Sequence, residues 1–439
     1  MRALAKWRGR PQWERTILWF LAGQGISLLG SGLVQFSIIW YVTAKMGSGA
    51  HLTLIAIASF LPQLIIALFA GVWADRFHRK WIIALADAGI AAATLMIALL
   101  FLFGYEHVWQ IYLVSAIRSL GGGIQGPAVT ATIPQIVPRE HLTRYNALQS
   151  TVGNLTQLLS PILGGAVLAI LPMYGVFMID VVTAAIAITI MIFLKIPKHG
   201  PALVPSDAPD AAEVSLNAAE AAVTMETDME PVSSLASLKQ GIAYIRESRL
   251  VSVLLSVYGA FMFLLSPTVM LIGLYLKRNF DDQPWRLTVA QTSLFAGMMV
   301  GGLIVSLIGK FKHKLRVIQF AGFMLALTSM SLGFLGAFRS PLFVVFGAIC
   351  FLAGTIVPFY TTNVTVLLQE ETPPDRHGRV FSVLFMIGSA AIPAGMLIFG
   401  PLADLFPIEV IMFITGSLQL LLVYASTRLL PAKYNEPNQ

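Results

Sequence analysis

The sequence predicts an all-α integral membrane protein with twelve transmembrane helices in two six-helix halves. Three observations carry that prediction. Charged residues make up only 12% of the 439 residues while hydrophobic ones make up 56%; apolar runs of span length recur along nearly the whole chain; and features of the first half reappear in the second. A soluble domain carries about 25% charged residues, so half of the side chains that keep a surface wet are missing. A helix needs about 20 apolar residues to cross the hydrocarbon. Runs bounded by charges, Gly/Pro clusters and Trp or Tyr place spans near 16–43, 52–74, 81–104, 108–132, 143–171, 174–195, 250–276, 287–309, 316–337, 342–368, 377–404 and 408–430.

The first run follows five basic residues, Arg2, Lys6, Arg8, Arg10 and Arg15, like the start of a signal peptide. Its apolar part is longer than the about 7–15 residues of a signal sequence, so an uncleaved first span is expected. Twenty-three of the 29 Lys and Arg fall in segments on the side of the N-terminus. Five fall on the other side (Lys45, Lys277, Arg278, Arg286 and Arg339), and Arg118 lies within a span. Positive residues stay inside, which places both termini in the cytoplasm of a multi-pass inner membrane protein. Attraction to anionic lipid accounts for the net charge of +7 without any nucleic acid. The single cysteine, Cys350, permits no intrachain disulfide and is expected to be a small core residue.

The chain divides into an N-terminal bundle (1–195), a cytoplasmic linker with a short helix (196–249) and a C-terminal bundle (250–439). The linker holds Pro197, Pro201, Pro205, Pro209 and Pro231 and seven acids between 207 and 230, a composition that cannot bury enough apolar surface to order itself. Beyond it, Leu235, Leu238, Ile242 and Ile245 form one apolar stripe at helical spacing, suited to lying on the inner membrane surface. The two bundles repeat each other. Gly71-Val72-Trp73-Ala74-Asp75-Arg76-Phe77-His78-Arg79-Lys80 follows the second span, and Gly309-Lys310-Phe311-Lys312-His313-Lys314 occupies the equivalent loop after the eighth. Likewise Pro138-Arg139-Glu140 precedes the fifth span and Pro374-Asp375-Arg376 the eleventh. Parallel repeats with substrate handled near the midplane between them are the logic of one large class of secondary transporters.

Residues 71–80 resemble the loop motif of the major facilitator superfamily. Arg118-Ser119-Leu120-Gly121-Gly122-Gly123 resembles its fourth-span arginine motif. Ser160-Pro161-Ile162-Leu163-Gly164-Gly165 resembles the fifth-span signature of its antiporters, with Ser160 where that pattern has glycine. Gly23-Gln24-Gly25-Ile26-Ser27, Pro358-Phe359-Tyr360, Gly378-Arg379-Val380-Phe381-Ser382 and Ile196-Pro197-Lys198 are similar to macrolide efflux proteins and related drug exporters. The resemblance implies the superfamily fold and a secondary exporter of amphipathic small molecules, macrolides or similar drugs, working by proton antiport. A siderophore or metabolite exporter is the alternative within the family. A lipid flippase or scramblase and a transport-inactive scaffold are the alternatives outside it.

The same residues carry physical expectations of their own. Asp75 leaves the second span at the inner face, where its carboxylate can approach the positive N-terminal end of another helix; Gly378-Arg379 at the start of the eleventh span is the candidate. Together with Gly71, Arg76, Arg79 and Lys80 this forms a cytoplasmic gate. Such a contact is worth about 0.3–1 kcal/mol when exposed and up to about 2 when partly buried, weak enough to open in every cycle. Ordinary inside-positive topology is the plainer reading of the basic residues. Arg118 lies roughly 15 Å into its span at 1.5 Å per residue. A guanidinium at that depth costs about 2.5–3.5 kcal/mol, so it is expected to face a wet cavity or a polar partner. Gln63, Asn154 and Gln157 are the expected neighbours. Asp87 and Asp180 are the candidate proton carriers, with interhelical hydrogen bonding as the other role open to them; Asp404, at the outer exit of the eleventh span, is a weaker candidate. Pro161 removes a backbone donor while Ser160, Gly164 and Gly165 keep the surface small, so the fifth helix can bend and approach a neighbour. Gly297 and Gly301 on the eighth span read as a packing stripe.

Absences narrow the chemistry. Gly309-Lys310 has Ile304 where a phosphate-binding loop needs its first glycine and Phe311 where it needs Ser or Thr, so ATP is not the expected energy source. The seven histidines lack metal-ligand spacing and there is no nucleophile motif, so neither enzyme activity, cofactor nor metal is expected. The expected partners are a small-molecule substrate, protons and membrane lipids, with the chain acting as a monomer. One charge moved through 100 mV supplies about 2.3 kcal/mol, enough for a gradient on the order of 50-fold at about 1.36 kcal/mol per decade.

Overall fold

The computed structural model describes residues 11–196, 248–280, 283–309, 311–337, 343–373 and 376–429. The expected acidic linker and its amphipathic helix fall outside them, apart from Ile196 and Ser248–Arg249. Among the described residues there are thirteen α-helices and no strand: α1 (Gln12–Met46), α2 (Gly49–Arg76), α3 (Arg79–Leu102), α4 (Val108–Ile136), α5 (Leu142–Ile170), α6 (Met173–Phe193), α7 (Arg249–Met270), α8 (Ile272–Asn279), α9 (Pro284–Ile308), α10 (Lys314–Ala337), α11 (Phe343–Glu371), α12 (His377–Leu405) and α13 (Ile408–Leu429). Eleven are long and apolar enough to cross a membrane. The remaining long helix, α4, has the length for a twelfth span, but Gln110, Arg118, Gln125 and a run of three glycines dilute its apolarity. Its polar side chains point into the protein, which is why hydropathy alone undercounts it.

The seventh span differs from expectation. Where one helix was expected over 250–276, the chain forms α7 and the short α8, joined at Leu271. Pro267 lies one turn before the joint, but α7 runs unbroken through it and the Leu271 N–H still donates to the Pro267 carbonyl at 3.0 Å. Arg249, expected to end a surface helix, instead opens α7, whose first turn is capped by the Ser248 hydroxyl accepting from the Val251 N–H at 3.4 Å.

Helix packing repeats between the halves. In the first, α1 packs on α5 and α6, α3 on α4 and α6, and α2 on α4; in the second, α7 packs on α12 and α13, α10 on α11 and α13, and α9 on α11. Taken in order of spans, these are the same pairs. Two long seams join the halves, α2 with α12 and α5 with α9, and the short α8 also touches α1. Small residues permit the closest approaches. A Cβ on Gly297 would collide with the Phe351 carbonyl, one on Gly301 with that of Thr355, and one on Gly354 with that of Leu294, so the α9–α11 seam has no room for side chains, as small-residue helix interfaces in membranes do. Cys350 is buried in this part of the core with Tyr275 and Phe346. Large apolar side chains such as Leu85, Phe193, Leu307 and Val344 are mostly exposed on the outer surface, a covering that lipid stabilises and water does not.

Candidate functional site

A cavity of about 1230 Å³ lies between the halves. Its walls come from α1, α2, α4, α5 and α12, with Met270 of α7. On α2 and α12 it occupies the middle of each helix, whereas on α1 it runs from Leu21 to Leu28, on α4 from Gly122 to Ala131 and on α5 from Gln149 to Val152, all in the half of the helix nearer the chain's entry into α1. It therefore extends from mid-bundle toward the face where the chain enters α1 and leaves α13, here called the terminus face. Among the described residues none that lines it is charged; Gln24, Gln63, Gln125, Gln149, Thr130 and Ser389 supply the polarity and the rest is aliphatic or aromatic. Ordinary drug-sized pockets occupy about 300–1,000 Å³, so this one can take a large amphipathic molecule.

A buried polar layer sits behind the N-terminal wall. Asp87 on α3 is 2% exposed; it accepts hydrogen bonds from the Ser27 hydroxyl at 3.0 Å and the Gln125 amide at 2.8 Å. The same Gln125 amide reaches the Gln24 carbonyl oxygen at 3.3 Å. Two cavity-lining glutamines thus connect the buried carboxylate to the cavity. Further along, Arg118 and Asp180 form an ion pair buried between α4 and α6. Arg118 also donates to the Thr94 hydroxyl at 2.6 Å and the Ser31 carbonyl at 3.4 Å, and the Ser31 hydroxyl donates to Asp180 at 3.4 Å. A Cβ on Gly30 would strike Thr183 and crowd Asp180, so glycine there lets α1 close over the pair. An isolated buried charge is costly, and a buried pair survives when further hydrogen bonds satisfy it; Thr94 and Ser31 provide them.

The structure sorts the expected site residues. It brings Arg118 and Asp180 together, where the sequence reading had given Arg118 different neighbours. Gln63 lines the cavity, and its backbone N–H donates to Ser119 at 3.0 Å. Asn154 and Gln157 are exposed on α5 and are not among the partners of Arg118. In the fifth-span motif, Ser160 packs beneath Gly32, Gly164 against Phe36, and Gly165 against Thr288 of α9 across the interface between the halves; the Ser160 hydroxyl is held by the Thr156 carbonyl at 2.7 Å. Arg79 donates to the Ala131 carbonyl at 2.6 Å, and Lys80 to those of Ile192 and Leu194 at 2.7 and 2.9 Å. These cations satisfy carbonyls near the ends of α4 and α6, a structural use of positive charge at helix C-termini. Gly71, Asp75 and Arg76 lie in the last two turns of α2 and Gly378 and Arg379 in the first turn of α12. The side chains of Asp75, Arg76 and Arg379 are outside the described residues.

At the opposite, distal face the halves are in contact. The Thr53 hydroxyl of α2 donates to the Met396 carbonyl of α12 at 2.8 Å, and Asp404 at the end of α12 reaches the start of α2. From α8, Lys277 donates to the carbonyls of Thr43 and Ala44, and Arg278 to that of Ala403 at 2.6 Å. Among the described residues the halves are bonded to each other at the distal face, and the cavity lies between them toward the terminus face.

A family model describing the Major Facilitator Superfamily matches residues 20–396. The chain belongs to that superfamily. This major facilitator is 28% identical to macrolide efflux protein A of Streptococcus pyogenes over 406 residues, covering 92% of this chain and 94% of the relative. It is 24% identical to the multidrug efflux pump Tap of Mycolicibacterium fortuitum, covering 85% and 86%. Among solved structures, a POT family transporter in complex with 5-aminolevulinic acid superposes with a TM-score of 0.69 at 13% identity, covering 95% and 97%; that likeness establishes the fold. The chain is thus a multi-pass membrane transporter.

Several residues of this major facilitator escaped the sequence reading. Ser27, Gln24 and Gln125 are polar side chains in apolar spans, but no spacing rule joins residues of two other helices to Asp87. Lys277 and Arg278 had counted only toward topology.

Proposed function

We propose that this transporter exports amphipathic, largely uncharged molecules of the macrolide or drug class in exchange for protons, with both termini in the cytoplasm. The observation that carries this reading is the large cavity with apolar walls and a few neutral amides, extending toward the terminus face while the halves are bonded to each other at the distal face. With the termini inside, that is an inward-open state, ready to take substrate from the cytoplasm or the inner leaflet. Apolar walls accept many shapes at low directional cost, and glutamine amides both donate and accept. The similarity to macrolide and multidrug efflux proteins supports the substrate class.

The halves 1–195 and 250–439 then rock about the α2–α12 and α5–α9 seams. Coupling follows from the wiring behind the wall. Ionised Asp87 holds the Gln125 amide; once protonated it is a poorer acceptor, Gln125 is released, and the cavity wall changes. The Arg118–Asp180 pair is the second carboxylate that a proton can neutralise, and it links α4 to α6. No bond is made or broken in the substrate, so no enzymatic role is assigned.

Cells expressing the transporter are expected to accumulate less macrolide than cells without it, and a protonophore should abolish the difference. A panel of macrolides, cationic dyes and siderophores reads the class. Efflux of siderophores alone would move the assignment within the family, and phospholipid translocation in proteoliposomes without drug efflux would replace it with a flippase.

A further inference from the structure

The α2–α12 seam carries a repeat that the loop motifs do not. α2 ends in Gly71-Val72-Trp73-Ala74-Asp75, and α12 ends in Gly400-Pro401-Leu402-Ala403-Asp404: the same Gly-x-x-Ala-Asp, at the C-terminal end of each helix. The two helices run in opposite directions, so the end of each lies on the face of the bundle where the other begins. At the distal face the consequence is visible. One Asp404 carboxylate oxygen accepts from the Gly49 N–H at 2.7 Å, and the other from the Ala50 N–H at 3.0 Å and the Ser48 hydroxyl at 2.7 Å. Gly49 and Ala50 are the first residues of α2, so an acid from one half caps the N-terminus of a helix from the other, where unsatisfied N–H groups and the helix dipole both favour an anion. Gly400 makes the approach possible, since a Cβ there would collide with Thr53 and crowd the Gly49 carbonyl. Arg278 braces the contact, reaching the Asp404 carboxylate at 3.5 Å and the Gly47 carbonyl at 3.4 Å. Nearer the middle of the pair, both helices line the cavity, α2 between 57 and 67 and α12 between 385 and 397.

We propose that Asp404 is the distal latch of the transport cycle, capping α2 while the distal face is shut, as the counterpart across the α2–α12 pair of the gate expected from Asp75 at the start of α12. The inference rests on the alternating-access reading above and assigns Asp404 as a positioning residue of the cycle. Each latch is broken when the other forms, because rocking that closes one end of the pair opens the other. The two contacts are of one kind, so neither state is greatly favoured, as a carrier that visits both requires.

The test is a set of spin-label distances in the full chain, in a Cys350→Ala background. Labels at Tyr105 and Val410 report the distal face, and labels at Trp81 and Lys312 the terminus face. Asp404→Ala is expected to raise the ratio of distal-open to distal-closed molecules about tenfold, which corresponds to about 1.4 kcal/mol, while shortening the terminus-face distance. Asp75→Ala should shift both distances the opposite way, and the double variant should return them close to the wild-type ratio. Asp404→Glu, which keeps the charge, should lie between wild type and alanine and guards against a mere folding defect. If wild type shows two populations that Asp404→Ala leaves unchanged, or if both single variants shift the same way, the latch proposal is wrong. One fixed distance at each face, unmoved in every variant, defeats the alternating-access reading and the latch with it.

Discussion

Replacing Arg118 by alanine is expected to abolish coupled transport and to destabilise the folded protein by about 3–5 kcal/mol, the range for removing one partner of a buried ion pair. The Asp180 side chain, 2% exposed, would be left charged or forced to bind a proton, with the Ser31 hydroxyl as a hydrogen-bond donor beside it. The two consequences separate in a double-variant cycle. Arg118→Met combined with Asp180→Leu removes both charges and is expected to recover most of the thermal stability in detergent, since a well-packed apolar replacement of a buried pair is often neutral or stabilising. Transport should stay lost in that double variant. Recovery of transport along with stability would mean that the pair only holds α4 to α6, and full activity of Arg118→Ala would remove it from the mechanism altogether.

Asp87→Asn should have the second largest effect, and of a different kind. Asparagine retains a carbonyl oxygen where the carboxylate accepts from Ser27 and Gln125, so the local packing survives and substrate binding should stay within a few-fold of wild type. What is lost is a change of protonation at that site. Accumulation driven by a pH gradient should therefore fall by more than tenfold, while exchange of labelled for unlabelled substrate at equal pH continues. If Asp180 carries the proton instead, the pattern moves to Asp180→Asn and leaves Asp87→Asn coupled.

How much of this was legible in the sequence depended on whether the signal lay along one helix or between helices. Spans, their number and the repeated halves follow from apolar runs and loop motifs, because each is a property of consecutive residues. Even so, α4 is long but too polar to register by hydropathy, since Arg118 and Gln125 face the interior rather than lipid. Depth placed Arg118 near mid-bilayer and energetics demanded a polar partner. Choosing Asp180 rather than Gln63, Asn154 or Gln157 required knowing that α4 and α6 share the neighbour α3 and that Gly30 admits α1. Asp404 was noticed as an acid at a span exit, but its three donors lie more than 350 positions away in the chain, and only the antiparallel placing of α2 and α12 brings them together.

In the proposed function the cavity between the halves moves amphipathic drug across the membrane at the expense of a proton gradient. Inside-out vesicles containing the protein, with an acidic lumen and labelled macrolide outside, measure this directly, against vesicles lacking the protein because a weak base gathers passively in an acid lumen. Protein-dependent accumulation that a protonophore collapses is the predicted result. Accumulation equal to that of the protein-free vesicles, or unaffected by the protonophore, would contradict the account.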